Sequence, residues 1–62
     1  MKFIILTSYD NNKKVAYNLD KIISFEEHDK ASAVTYGAGH ASICEYVKES
    51  FNEILEMLKE ND

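Results

Sequence analysis

The hydrophobic pattern of this chain changes its period at Ser50, and this change limits the fold more than any other feature of the sequence. After Ser50 the apolar side chains recur at helical spacing, at Phe51, Ile54, Leu55 and Leu58. Ser50 and Glu53 have the spacing of a capping box, in which each side chain accepts a hydrogen bond from the backbone amide of the other residue. The sequence therefore predicts an amphipathic helix over residues 51–60. A helix of about ten residues does not persist alone, so it must pack on the rest of the chain.

The residues before Ser50 have the pattern of short strands separated by turns. They are rich in β-branched and aromatic side chains, and Asp, Asn and Gly interrupt them. The pattern predicts strands at about residues 2–8, 14–19, 22–28, 32–36 and 43–48. The predicted fold class is α+β: a single domain with a small antiparallel sheet of four to five short strands and one C-terminal amphipathic helix packed on it.

Residues 42–49 fit either a strand or a helix. Ser42 has the spacing of a second capping box with the glutamate three residues later, which would start a long helix at Ser42. Ile43 and Tyr46 favour a strand, and Ser50 has little reason to occupy a capping position inside a helix. We favour the strand and leave the helix as the alternative.

The small size of the chain limits how it can be stabilised. Its 62 residues form one domain whose core is marginal. Domains of this size usually add disulfides, a metal or oligomerisation. Cys44 is the only cysteine, so a disulfide within one chain is excluded, and Cys44, His28 and His40 lack the spacing of a zinc site. We therefore predict no metal, no cofactor and stabilisation by oligomerisation.

The charge pattern excludes some partners. The formal net charge is −4, and Lys13 and Lys14 are the only adjacent basic residues, so no nucleic-acid partner is expected. The apolar run at residues 3–6 is too short for the core of a signal peptide or for a membrane span, so no membrane partner is expected. With the single unpaired Cys44, these features predict a cytoplasmic protein.

Several short motifs resemble one family. They are Ile4-x-Leu6-Thr7, Asn18-x-Asp20-x-Ile22-x-x-Phe25-Glu26, Val34-Thr35-Tyr36-Gly37, and Val47-Lys48-Glu49-Ser50 followed by Glu53-Ile54. With them the chain resembles the small FlbD/SwrD-like family, short proteins first named from flagellar operons, linked to swarming motility and also found in phages and in anaerobes without flagella. The resemblance implies strands followed by one helix and carries over no catalytic residue. The chain departs from the family pattern in a longer segment at residues 37–42 and in a more polar loop at residues 10–14.

One set of residues is a candidate site for a ligand or partner: Tyr17, Tyr36, Gly37, Gly39, His40 and Lys48. The two glycines would let backbone amides converge on an anion, the histidine and the lysine would add charge, and the tyrosines would add rings. The simpler interpretation is a hairpin turn that requires positive φ, with tyrosines that pack across neighbouring strands. We favour the simpler interpretation and keep the site as a hypothesis.

Two further residues have a chemical and a simpler interpretation. His28 lies among acidic residues that would suit acid–base chemistry, but a charged strand end that protects a sheet edge explains it better. Cys44 is a candidate reactive thiol, but no positioned base can be argued for it, and a small buried residue is the simpler interpretation. We favour the simpler interpretation for both, and predict that the protein is not an enzyme.

The first strand is apolar on both faces, and one short helix covers only part of one sheet face. Ile4 or Phe3, together with Ile22, is therefore predicted to stay exposed, and Phe3, Ile4 and Ile22 are the candidate residues of an oligomer interface. The predicted function is that of a non-catalytic, oligomeric interaction or adaptor protein, whose partners are itself and an unidentified protein or small anionic ligand. The alternative is a phage- or mobile-element-encoded inhibitor that sequesters a host defence protein or a small nucleotide signal at subunit interfaces.

Overall fold

The computed structural model describes residues 2–60. The elements, in chain order, are β1 (Phe3–Thr7), β2 (Lys14–Asn18), a 3-10 turn (Leu19–Lys21), β3 (Ile22–Glu27), β4 (Ser32–Ala38), β5 (Ala41–Val47) and α1 (Phe51–Glu60). The α+β class is confirmed, with five strands followed by one helix among the described residues. The stretch that also fitted a helix is mostly strand β5, and α1 begins directly after Ser50.

The five strands are divided between two small antiparallel sheets. β1 pairs with β2, and β3, β4 and β5 form the second sheet in that order. The sheets meet at one end, where Ser8 bridges Val47 and the backbone amide of Lys48 donates to the carbonyl of Thr7 at 2.9 Å. The chain thus folds as two antiparallel units, each stabilised by the other.

The core lies between the two sheets and α1. Its buried members are Ile4, Leu6, Tyr17, Val34, Val47 and Ile54. β1 alternates between its two faces, with Ile4 and Leu6 turned inward and Phe3 and Ile5 exposed.

Of the two alternatives predicted for the exposed residue of β1, Phe3 is the exposed one, and the exposure predicted for Ile22 was wrong. Ile4 is only 2% exposed, because the second sheet and α1 cover the inner face of β1. Ile22 is half-buried against the same core. Only Phe3 of the three is exposed, so these residues do not form one apolar surface in the single chain.

The capping box of α1 is confirmed. The amide of Ser50 donates to Glu53 Oε1 at 2.8 Å, and the amide of Glu53 donates to Ser50 Oγ at 3.1 Å. Because these contacts satisfy two amides of the first helical turn, they set the start of the helix. No helix within residues 2–60 is long and apolar enough to cross a lipid bilayer.

The buried face of α1 differs from the predicted one at two residues, Leu55 and Met57. Ile54 is fully buried where α1 packs beside β3, and Met57 and Leu58 are partly buried. Leu55, which was predicted to share this face, is 40% exposed. Helical spacing determines which side chains are neighbours, but the orientation of the helix on the sheet decides which of them are covered.

Glu49 joins β1 to the segment between β5 and α1. Its carboxylate accepts hydrogen bonds from the amide and from the hydroxyl of Thr7, each at 2.8 Å. Its backbone carbonyl accepts a hydrogen bond from the hydroxyl of the fully buried Ser32, at 2.8 Å. We call this group of three residues the Glu49 clamp. No local sequence pattern predicts this role of Glu49.

The segment at residues 37–42 is mostly strand rather than loop. Gly37 belongs to β4 and Ser42 to β5, so only Gly39 and His40 form the turn. Gly39 has a φ of +67°, which a type II′ hairpin turn requires at its first central residue. The interpretation as a glycine-dependent hairpin turn is therefore confirmed for Gly39.

Candidate functional site

The six residues predicted to bind a ligand or partner lie in three separate places. The first group, Tyr17, Tyr36 and Gly37, lines a shallow recess of about 220 Å³. Gly39 and His40 lie at the tip of the β4–β5 hairpin. Lys48 lies just after β5, with its ammonium 5.8 Å from the ring centre of Tyr9. The structure therefore does not bring these residues together around one anion.

Tyr17 and Tyr36 connect the two sheets. The edge of one ring meets the face of the other, with ring centres 5.6 Å apart. Both hydroxyls donate to the carboxylate of Glu45, from Tyr17 at 2.7 Å and from Tyr36 at 3.2 Å. In the described structure these two tyrosines pack across strands, and their polar ends are already occupied by Glu45.

This arrangement makes stability depend on pH in the alkaline range. Burial, followed by the hydrogen bond to Glu45 and its charge, raises the pKa of the Tyr17 hydroxyl far above its ordinary value. The folded protein then holds this proton more tightly than the unfolded chain, in which tyrosine titrates at about pH 10. The stabilisation is complete below that pH and is lost as the pH rises through the folded pKa.

We therefore expect the free energy of unfolding to fall above about pH 10, by up to about 1.4 kcal/mol per pH unit for this one proton. Urea titrations between about pH 9 and 11.5 measure this slope. Tyr17→Phe should flatten it, whereas Tyr9→Phe, which changes an exposed residue, should leave it unchanged. Equal slopes in the Tyr17 variant and the wild type would contradict the role given to Tyr17.

A larger recess, of about 340 Å³, lies where two turns meet the end of β5. It is lined by Tyr9, His28, Asp29, Lys30, Ala31 and Tyr46, and we call it the aromatic recess. Two backbone contacts hold its walls: the amide of Tyr9 donates to the carbonyl of Tyr46 at 3.0 Å, and the amide of His28 donates to the carbonyl of Ala31 at 3.1 Å. Residues that are distant in sequence therefore share one rim.

The rings of the aromatic recess are held in place but not covered. The imidazole of His28 meets the ring of Tyr46 edge to face, with ring centres 4.9 Å apart. Tyr9 is 55% exposed and Tyr46 is 49% exposed. Lys48 approaches Tyr9 at the distance of a cation–π contact. Half-exposed tyrosines beside a concave surface are typical of binding sites, because the ring supplies apolar area and the hydroxyl a hydrogen bond.

Only part of this site could be predicted from the sequence. Lys48 was predicted as a site residue, but together with the glycine segment, and His28 was predicted to be a charged strand end. Tyr9 and Tyr46 were considered only as members of a general tyrosine set. The contact between the β1–β2 turn and the end of β5 brings them together, and no local pattern in the sequence reports such a contact.

Cys44 is exposed, which corrects the interpretation that it is a small buried residue. It pairs with Thr35 of β4, on the face of the three-stranded sheet that points away from the core. Among residues 2–60 there is no group of three His, Cys, Asp or Glu side chains placed to hold a metal ion.

Comparisons of the chain with protein-family models, with curated proteins and with solved structures find no match. The similarity to FlbD/SwrD-like proteins therefore stays a prediction from short sequence motifs.

Proposed function

We propose that this chain is a small, non-catalytic interaction protein that self-associates and binds a macromolecular partner through the aromatic recess. The observation that carries the proposal is the pair of half-exposed tyrosines, Tyr9 and Tyr46, beside a recess of about 340 Å³. Tyrosine is among the residues that most often dominate binding energy, because a rigid ring loses little conformational entropy when a partner covers it.

The charges around the recess indicate the chemistry of the partner. Lys30 lines the recess and Lys48 lies over Tyr9, although the chain as a whole carries a net charge of −4. Only Asp29 opposes them among the lining residues. The recess therefore suits a protein segment with a large apolar side chain and an acidic neighbour, which would meet the tyrosine rings and the lysines respectively.

The side chains around the recess support a binding role rather than catalysis. His28 packs against the ring of Tyr46, and within the described part of the chain its imidazole makes no hydrogen bond to a hydroxyl, thiol or carboxylate. The remaining lining residues supply rings, one methyl group, one ammonium group and one carboxylate. Nucleophilic catalysis needs a nucleophile within hydrogen-bond reach of a base, and among the described residues His28 has no such partner.

A peptide-display selection tests the protein-binding function. Peptides selected on the wild-type protein should share an apolar side chain next to Asp or Glu. Tyr46→Ala should weaken their binding by about 10- to 30-fold, since a buried tyrosine at an interface commonly contributes about 2 kcal/mol. Phe3→Ala is the matched control, because Phe3 is also an exposed aromatic residue on a strand but does not line the recess.

Isothermal calorimetry with each selected peptide measures both affinities. An equal loss in the two variants would contradict the assignment of the binding site. Selection of no common motif would contradict the proposed partner chemistry.

A small anionic ligand with an aromatic ring is the second candidate, and the position of Lys48 over Tyr9 favours it. A recess of this volume is at the lower end of the range for small-molecule sites. The rings would stack on a base, and the lysines would face its phosphates. Calorimetry with cyclic oligonucleotides and with adenosine-ribose derivatives tests this candidate. A heat of binding that is lost in Tyr46→Ala would support the small-ligand candidate. No heat of binding with any of these compounds would contradict it and would favour the protein partner.

The cysteine content and the family resemblance bear on where the protein acts and on what it binds there. We propose a cytoplasmic location, because Cys44 is exposed and is the only cysteine of the chain. The similarity to FlbD/SwrD-like proteins favours a motility role for the bound partner, and the phage alternative makes the partner a host defence protein. Flagellar genes beside the coding sequence would support the first role, and phage or defence genes would support the second.

A further inference from the structure

Within residues 2–60, the outer edge of β5 leaves both the backbone amide and the backbone carbonyl unpaired at two residues, Ser42 and Cys44. The two-residue turn closes on Ala38 and Ala41, which are opposite each other, and such turns close on a hydrogen-bonded pair. Hydrogen bonding alternates along an antiparallel ladder, so the amide and carbonyl groups of Ser42, Cys44 and Tyr46 point away from β4. The hydrogen bond from the Tyr9 amide to the carbonyl of Tyr46 agrees with this alternation. Within residues 2–60, Ser42 and Cys44 have no backbone partner on this side.

This edge lacks the devices that usually prevent strand pairing. On β3, the opposite edge of the same sheet, the register shifts between Ile22 and Ser24, and Glu26 and Glu27 add charge. Bulges and charged residues of this kind discourage another strand from docking. The outer part of β5, residues 41–44, reads Ala-Ser-Ile-Cys and carries neither a charge nor a proline. The unprotected edge of the three-stranded sheet is therefore that of β5.

We propose that a second copy of this chain pairs antiparallel with β5, with the twofold axis at Ile43. In this register Ser42 lies opposite Cys44 of the partner copy, and Cys44 lies opposite the partner's Ser42. All four free amides and all four free carbonyls of the two pairs then form hydrogen bonds. A register centred on Cys44 instead would require the edge at Tyr46, which Tyr9 already occupies.

The same register places the apolar side chains of the edge against each other. Ile43 is 40% exposed in the single chain and lies directly opposite its own copy, in a non-hydrogen-bonded pair with Cα atoms about 4.5 Å apart. The result is a continuous six-stranded sheet. Residues opposite each other in an antiparallel pair share a face, so the aromatic recesses of both copies open on the same side of this sheet.

This dimer rests on the proposed self-association and specifies its surface and register. Its test is independent of the test of peptide binding at the aromatic recess. Disulfide trapping tests the register. In Ile43→Cys/Cys44→Ser, mild oxidation should link most of the protein into dimers, because the opposing Cα atoms lie within disulfide range. Ala41→Cys/Cys44→Ser is the matched control and should stay unlinked, because the two Ala41 residues lie four positions apart along the strands.

The wild type also reports the register. Its two Cys44 residues would be diagonal neighbours, about 7 Å or more apart, so mild oxidation should leave the wild type unlinked. Rapid linking of the wild type, with none in the Ile43→Cys variant, would overturn the register. Linking of neither protein, or linking of the Ala41→Cys control as readily as the Ile43→Cys variant, would overturn pairing through β5.

Light scattering after size exclusion tests the association itself. The wild type should change from 7.1 kDa to twice that mass as its concentration rises. Ile43→Lys should stay monomeric, because two ammonium groups would be directly opposed. Ile23→Lys is the control: Ile23 is 64% exposed on β3, and this variant should dimerise like the wild type. A monomer at all wild-type concentrations would overturn the dimer. A dimer that survives Ile43→Lys would overturn this surface, and the peptide affinity of the recess would decide the binding function independently.

Discussion

Ile54→Ala is expected to unfold a large fraction of the protein at room temperature. Ile54 is fully buried where α1 closes the core between the two sheets. Truncation of such a side chain typically costs about 2–5 kcal/mol, through lost burial and the cavity left behind. A domain of this length has a total stability of only about 3–9 kcal/mol. Urea denaturation followed by circular dichroism measures the loss.

Leu55→Ala is the control for this prediction. It removes a similar side chain from the adjacent residue of the same helix, but Leu55 is 40% exposed. Its loss should be less than half that of Ile54→Ala, because less apolar surface returns to water and no closed cavity forms. Similar losses in the two variants would mean that α1 packs in a different rotation from the one described.

Glu49→Ala is expected to cost about 2–3 kcal/mol and to loosen the junction between the two sheets. The carboxylate accepts two hydrogen bonds from Thr7, both at 2.8 Å. A hydrogen bond to a charged group contributes about 1.5–3 kcal/mol to stability. Alanine would leave the part-buried amide of Thr7 without its acceptor. The substitution should therefore lower the overall stability, and hydrogen exchange of the β1 amides should become faster.

Glu56→Ala is the control for the Glu49 clamp. Glu56 also carries a carboxylate, but it is exposed on α1 and makes one contact with Lys59 at 3.5 Å. Exposed pairs of this kind contribute little, so the loss should stay within about 0.5 kcal/mol. Glu49→Gln should fall between the two alanine variants, because its amide retains one acceptor for Thr7. If Glu49→Ala and Glu56→Ala destabilise equally, the clamp does not join the sheets.

Much of the secondary structure could be predicted from local patterns. The start of α1 follows from two residues, Ser50 and Glu53, whose groups satisfy each other within one turn. β5 could be assigned because Ile43 and Tyr46 favour strands, although helical spacing was also present. These effects act between residues close in sequence, and for this reason the sequence alone reports them.

The division into two sheets and the exposure of single residues could not be predicted in the same way. Ile4 and Leu55 each belong to an apolar pattern, but one is buried and the other exposed. The difference depends on which face of β1 meets the second sheet and on how α1 is rotated against β3. A pattern reports that a face is apolar, but not which other element covers it.

The aromatic recess and the Glu49 clamp depend on tertiary structure even more strongly. Tyr9 reaches Tyr46, and Thr7 reaches Glu49, only because the end of β1 bridges the end of β5. The fold class, the C-terminal helix and its cap thus follow from local sequence, because short-range periods and hydrogen bonds control them. The core, the candidate site and the free edge of β5 depend instead on tertiary contacts, because contacts between distant segments determine which groups are covered and which stay available to a partner.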